Sequence, residues 1–157
     1  MDLTQWLIAL HVLSAFAWIS ALVLYSVVIA AGRGTSVPSD VIRLFQVVRV
    51  GDALIAVGMI GTIVFGIWLA LDEYEIWDGW IITALVLWLL AAAVGGRVGK
   101  IYNATRDRAK ALAGEDGDAP SSELNAMLRS QRGLVLHTLM VLLTLVILVV
   151  MVYKPGA

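Results

Sequence analysis

The chain has 157 residues, of which 61% are hydrophobic and only 15% are charged, and its mean hydropathy is +0.90. A soluble domain carries about 25% charged residues, so this composition indicates a membrane protein. The net charge of −1 offers no basic surface for nucleic acid, and the absence of cysteine excludes disulfides, thiolate metal sites, c-type haem attachment and a cysteine nucleophile.

Four apolar stretches are each long enough for a membrane-spanning helix, which needs roughly 17 residues or more. They are continuous rather than alternating, which predicts helices and not barrel strands. The first stretch has no basic start and no clear cleavage site, so we expect it to be retained rather than removed as a signal peptide. The predicted fold is an all-α, antiparallel up-down bundle of four transmembrane helices in one integral membrane domain over residues 1–157. The spans are residues 3–31, 51–71, 80–96 and 133–153.

The connections between the spans also contain predicted helices. Residues 39–50 resemble a short helix lying on the membrane surface, with Ser39 as its cap. The third span is expected to continue as a helical extension through residues 100–112, and residues 114–120 then break the helix. A new helix over residues 121–133 is expected to run directly into the fourth span.

Charge is distributed unequally between the two sides of the predicted bundle. Ten of the eleven Lys and Arg residues lie in the connections after spans one and three, and only Lys154 lies on the other side. The link between spans two and three has no cation and four acids. The positive-inside rule therefore predicts that both termini face outward and that the two basic connections are cytoplasmic. The small size favours a bacterial cytoplasmic membrane. The four acids are Asp72, Glu73, Glu75 and Asp78.

Small residues recur at four-residue spacing on spans two and three. In lipid, helices associate where small residues let their backbones come close. Glycine is common in membrane helices in general, but a repeat on both spans predicts that spans two and three pack as a tight antiparallel hairpin. The two stripes are Gly58, Thr62 and Gly66 on span two and Ala91, Gly95 and Gly99 on span three.

Two histidines lie inside predicted spans, and an ionisable residue within a membrane is a candidate functional site. The helical face of His11 also carries Ser14, and the face of His137 carries Thr144, so both faces are expected to point into the bundle. Two histidines on facing helices suggest a haem b held by both. In antiparallel spans, however, they lie about 17 Å apart along the membrane normal, so one iron reaches both only if the spans shift by two to three turns.

Each histidine also has a separate interpretation. His137 lies at the predicted depth of Arg49 and Asp52, which indicates a polar cluster or a proton relay at the cytoplasmic end of span two.

For His11, a packing role with a hydrogen bond to Thr83 or Thr144 is one alternative. The other is ligation of haem iron or copper together with a second ligand such as Met140, because histidine with methionine suits both metals.

Most of the chain resembles a family of bacterial integral membrane proteins of similar length, predicted from sequence and without an assigned activity. The resemblance rests on "LHVLSAFAWISALVLYSVV", "GTIVFGIWLAL" and "WIITALVLWLLAAAVGGRVGK", in which His11, Gly66 and Trp80 stand out. More distantly, the chain is similar to the membrane domain of copper-resistance protein D and to a membrane-bound protoporphyrinogen oxidase. The first relative implies metal handling, and the second implies haem with a quinone-linked redox role. His11 matches the early histidine of both, but the intramembrane lysine of the oxidase has no counterpart within a span here.

Three functions stay open from the sequence. The first is a haem- or metal-binding redox or accessory subunit that uses His11, the second is a structural or assembly protein without a cofactor, and the third is a copper or proton-linked transport accessory. No span carries paired carboxylates, so hydrolytic chemistry is not expected. The expected partners are the lipid bilayer and either another membrane protein or a second copy of the chain.

Overall fold

The computed structural model describes residues 2–115 and 117–155. Within these ranges all regular structure is helical, and four segments are long and apolar enough to cross a membrane. The prediction of an all-α fold with four candidate spans is confirmed. The helices are α1 (Leu3–Gly32), α2 (Pro38–Glu73), α3 (Gly79–Glu115), α4 (Ser122–Leu128) and α5 (Gln131–Tyr153).

The long helices pack as two close pairs, α1 with α2 and α3 with α5. Helix α2 contacts α3 less extensively, and α1 and α5 touch at only a few positions. We call the end of the bundle that carries residues 74–78 the link end, and the opposite end, which carries α4, the α4 end. The outward faces of the long helices are apolar, as expected for a protein embedded in a lipid bilayer. Examples of exposed apolar side chains are Leu13, Phe16, Val57, Leu89 and Leu142.

Helix α2 runs from Pro38 to Glu73 without a break, so the prediction of a separate surface helix over residues 39–50 is wrong. Proline occupies the first turn, where its missing N–H removes no hydrogen bond. Ser39 is not the cap. Instead, its backbone N–H donates to the carboxylate of Asp118 at 3.0 Å, so the start of α2 is capped from a distant part of the chain.

The apolar face of this first part of α2 is buried against protein rather than lipid. Val41 is fully buried, and the Phe45 ring lies 6.3 Å from the ring of Tyr102 on α3. An amphipathic pattern shows that a face is covered but does not show what covers it. The sequence therefore predicted helical structure at these residues, but placed it on the membrane surface instead of in the bundle.

The predicted extension of the third span is present, because α3 continues to Glu115. The helix that follows is shorter than expected. Helix α4 ends at Leu128, and α5 begins separately at Gln131 with Ser130 accepting a hydrogen bond from the Gly133 N–H at 3.4 Å. A serine that caps the next helix is a local reason for this interruption.

The predicted hairpin of spans two and three through their small residues is wrong, because the α2 stripe packs against α1. A Cβ atom on Gly58 would lie 2.5 Å from the backbone nitrogen of Trp18 and 2.9 Å from the carbonyl oxygen of Ser14. On α3, Gly95 faces Met140 of α5. Sequence spacing identifies a face suited to close packing, but it does not say which neighbouring helix will use that face.

The remaining predicted packing residues occupy different surroundings. Thr62 and Ala91 are buried, and Gly66 lies against the ring of His11. Gly99 has open space where a Cβ atom would be, so the α3 stripe is only partly used within the chain.

Candidate functional site

His11 lies on α1 towards the link end, and its orientation is set by α2. Its Nδ1 atom is 3.0 Å from the backbone oxygen of Thr62. A carbonyl oxygen can only accept, so Nδ1 carries a proton and donates, and Nε2 of the neutral imidazole keeps its lone pair. Neither threonine considered from the sequence is the partner. The hydroxyls of Thr83 and Thr144 donate to carbonyl oxygens one turn back in their own helices.

His11 borders two adjoining cavities of about 450 and 70 Å³, on the side where α1 and α5 separate. Both are lined by His11, Thr62, Trp80 and Met151, and we call them together the His11 cavity. The other lining residues are almost all apolar side chains from the four long helices. A volume of this order, apolar walls and a few polar groups are typical of small-molecule sites, which span about 300–1,000 Å³.

Several side chains that line the His11 cavity carry a buried hydrogen-bond donor without a partner in the part of the chain that the structure describes. Four buried side-chain polar atoms have no hydrogen-bond partner among residues 2–115 and 117–155, and all four belong to residues that line this cavity. A buried polar group without a partner costs about 1–3 kcal/mol, so such groups are rare in native proteins. An indole N–H can only donate, and a hydroxyl can also donate. The four atoms are Trp18 Nε1, Thr62 Oγ1, Trp80 Nε1 and Trp88 Nε1.

A cation lies at the link-end rim of the His11 cavity. Lys154 Nζ donates to the Tyr74 hydroxyl at 2.5 Å and lies 4.3 Å from the centre of the Tyr74 ring. The Trp80 ring is 5.4 Å away from the same ammonium group. These contacts tie the end of α5 to the start of α3 and to the link, and they fix one wall of the cavity opening.

His137 lies on α5 towards the α4 end, and its side chain is only 6% exposed. Its Nε2 atom is 2.8 Å from the Ser26 hydroxyl of α1, and that hydroxyl is also 2.9 Å from the backbone oxygen of Leu22. The hydroxyl has one hydrogen and the carbonyl can only accept. Ser26 therefore donates to Leu22 and accepts from the Nε2–H of His137, which leaves the lone pair on Nδ1.

The predicted polar cluster of Arg49, Asp52 and His137 is only partly brought together. Asp52 accepts a hydrogen bond from the Tyr25 hydroxyl. Asp52 and His137 line the same cavity, of about 280 Å³ between α2 and α3. Arg49 is exposed, and it makes no hydrogen bond or ion pair within the described ranges.

The cavity between α2 and α3, which we call the His137 cavity, also contains two methionines, Met59 and Met140. Met140 therefore lines the cavity of His137 and not that of His11, contrary to the predicted pairing of His11 with Met140. The methionine that lines the His11 cavity is Met151. The two histidines border different cavities, so their side chains do not face a common site where both could ligate one haem. No group of three or more His, Asp or Glu side chains in the described part of the chain is placed to share a metal ion.

Residues 5–155 match the family described as "Predicted integral membrane protein (DUF2269)". The chain belongs to this family. No curated protein and no solved structure matches it. The match supports the resemblance to membrane proteins of unknown function, whereas the copper-resistance and oxidase resemblances receive no support from the comparisons.

Sequence reasoning found His11 but missed most of its surroundings. Thr62 is part of the small-residue stripe, and nothing in the stripe indicates that its carbonyl orients the imidazole. The usable signal was the depth of Trp18 and Trp88. Indole groups are enriched at the membrane interface, where their N–H groups meet water, so a tryptophan far from the interface needs an acceptor inside the protein.

Proposed function

We propose that this protein binds a lipid-soluble ligand in the His11 cavity, and that the ligand presents oxygen atoms that accept hydrogen bonds. The observation that carries the proposal is the set of four unpaired donors in the cavity wall. A lipid acyl chain would fill the apolar volume but would leave every one of these donors unpaired. A ligand with carbonyl or ether oxygens fills the same volume and brings acceptors to the residues that carry these donors. Because the donor atoms are closed off from the cavity, their side chains must rotate to pair with the ligand.

His11 adds a group of the opposite kind to this wall. Its Nδ1–H is held by Thr62, so Nε2 is available to accept a hydrogen bond or a proton from the ligand. A cavity with several donors and one strong acceptor suits a molecule that interconverts carbonyl and hydroxyl groups. A quinone and its quinol form one such class, because the same oxygens accept in one form and donate in the other.

Haem binding by His11 is the second candidate. A histidine that donates its other ring nitrogen to a carbonyl is in the orientation that metal-ligating histidines use. Met151 lines the same cavity, so an imidazole and a thioether face one volume, and this ligand pair is found in cytochromes. A bound haem would supply one-electron redox chemistry. It ranks second because the walls of the cavity are almost wholly apolar, and among the residues that line it Lys154 is the one cation for the two propionate groups of a haem.

The test compares three proteins purified in mild detergent: the wild type, His11→Gln and His137→Gln. Glutamine can still donate to the Thr62 carbonyl, so we expect the His11 variant to keep its fold. Mass spectrometry of a solvent extract measures the bound ligand, and absorption spectra with and without dithionite detect haem. We expect about one ligand per chain in the wild type and in His137→Gln, and a roughly tenfold loss in His11→Gln, equivalent to one neutral hydrogen bond at the upper end of its usual range. Equal ligand content in both variants would contradict the assignment, and a Soret band would select haem over a colourless ligand.

We also propose that the link end faces outward and the α4 end faces the cytoplasm of a bacterial cell. The distribution of Lys and Arg supports this orientation. That the chain acts together with another membrane protein or a second copy of itself stays a prediction.

Because the chain lacks cysteine, single cysteines can test the orientation. Glu75 and Asn103 are both exposed, one in the link and one on the α3 extension. In intact cells, a membrane-impermeant maleimide is expected to label Glu75→Cys and not Asn103→Cys, and lysis should make both reactive. Labelling of Asn103→Cys alone in intact cells would contradict this orientation and show that the α4 end faces outward.

A further inference from the structure

We propose that the His137 cavity binds one soft monovalent metal ion, Cu(I) or Ag(I), through the Nδ1 atom of His137 and the thioethers of Met59 and Met140. This site is separate from the His11 cavity, and it does not depend on the function proposed for that cavity.

The composition of the cavity wall is the first argument. His137 and Met140 lie one turn apart on α5, and Met59 reaches the same space from α2. Two of the chain's five methionines therefore share one cavity with a buried imidazole. Thioether ligands favour Cu(I) over the harder divalent ions, and imidazole is also a good copper ligand.

The state of the imidazole is a second and independent argument. His137 is 6% exposed, and Nδ1 has no hydrogen-bond partner within the described ranges, while Ser26 holds Nε2–H. The Nδ1 lone pair is therefore available to a ligand. A ligating histidine whose other ring nitrogen is held by a neighbour is the usual arrangement at metal sites.

The structure also provides room and charge for the ion. Gly95 of α3 makes room for the thioether itself, since a Cβ atom there would lie 2.9 Å from Met140 Cε and 3.3 Å from Sδ. Gly96 and Gly99 have no neighbour where a side chain would begin, which leaves the opening between α2 and α3 unobstructed. Asp52 lines the same cavity and supplies a carboxylate, the charge that a monovalent cation needs.

The same residues disfavour a divalent ion. Zinc and calcium need three or more ligand atoms from the protein, which are imidazole nitrogens, thiolate sulfurs or oxygens. No group of three or more His, Asp or Glu side chains is placed to provide them in the ranges that the structure describes.

The experiment measures metal retained after desalting of the purified protein. One sample is loaded with Ag(I), and another is loaded with Cu(I) kept reduced by ascorbate without oxygen. We expect one ion per chain for the wild type, and an affinity at least about tenfold lower for Met59→Leu and for Met140→Leu. Leucine conserves volume, so both variants should fold, and thermal unfolding without metal checks this. X-ray absorption of the copper sample should show sulfur and nitrogen neighbours.

Two matched controls locate the ion. Met151→Leu and His11→Gln alter the other cavity and should retain metal as the wild type does, whereas Ser26→Ala frees Nε2 and should weaken binding. Three outcomes would overturn the proposal: no retained metal in the wild type, unchanged affinity in both Met59→Leu and Met140→Leu, or a loss caused by Met151→Leu instead.

Discussion

Replacing Gly58 by alanine is expected to destabilise the protein by about 3 kcal/mol, the upper end of the usual cost of overpacking. The new Cβ atom would lie 2.5 Å from the backbone nitrogen of Trp18 and 2.9 Å from its Cα atom. Backbone atoms in the middle of a helix cannot turn aside as a flexible side chain can, so α1 and α2 must separate. Their contact is the most extensive in the bundle, and it also positions the Thr62 carbonyl against His11.

The matched control for this substitution is Gly96→Ala. Nothing lies within 4 Å of a Cβ atom at that position, so the change adds no clash and gains up to about 1 kcal/mol of helix propensity. Unfolding of both variants in detergent by increasing SDS or by heat measures the difference. Equal stability of Gly58→Ala and Gly96→Ala would show that α1 does not approach α2 as closely as described.

Replacing Thr62 by valine is expected to change stability and ligand binding in opposite directions. The Thr62 hydroxyl is buried without a partner, so its removal should stabilise the ligand-free protein by about 1–2 kcal/mol. The same change removes a donor from the His11 cavity, and ligand affinity should fall about tenfold. The measurement is unfolding of ligand-free protein together with titration of the molecule that the solvent extract identifies.

Thr144→Val is the control for Thr62→Val, because Thr144 lines the same cavity but its hydroxyl already donates to the Met140 carbonyl at 2.9 Å. We expect little change in either quantity for this variant. A lower stability of ligand-free Thr62→Val, or an unchanged affinity, would mean that the Thr62 hydroxyl is not an unpaired donor that binds the ligand.

The sequence predicted the four spans and the helical extension of the third, but it misplaced the start of α2 and the break between α4 and α5. Continuous apolar runs located the four spans, and the polar stretch after Gly99 correctly indicated a helix extending beyond the third span. Predictions that required a choice between neighbouring helices were less successful. Gly58 and Gly95 lie on close-packed faces, but they face α1 and α5 rather than each other. Periodicity contains no information on that choice.

The candidate site shows the same limit. A histidine within a span is visible in the sequence, and so is its apolar setting. The tautomers of His11 and His137 depend on a carbonyl of α2 and on Ser26 of α1, which lie 51 and 111 residues away in the chain. The pairing of Met140 with His137 instead of His11 also depends on how the two helix pairs face each other. These features require the tertiary arrangement, because no local pattern specifies them.

Native mass spectrometry of the unaltered protein, released gently from detergent, tests the central claim most directly. We expect one non-covalent adduct of a single defined mass per chain, rich in carbon and containing oxygen, that survives conditions which strip ordinary lipids. Bare chains, or only a broad series of phospholipid masses that leave together on mild activation, would contradict it.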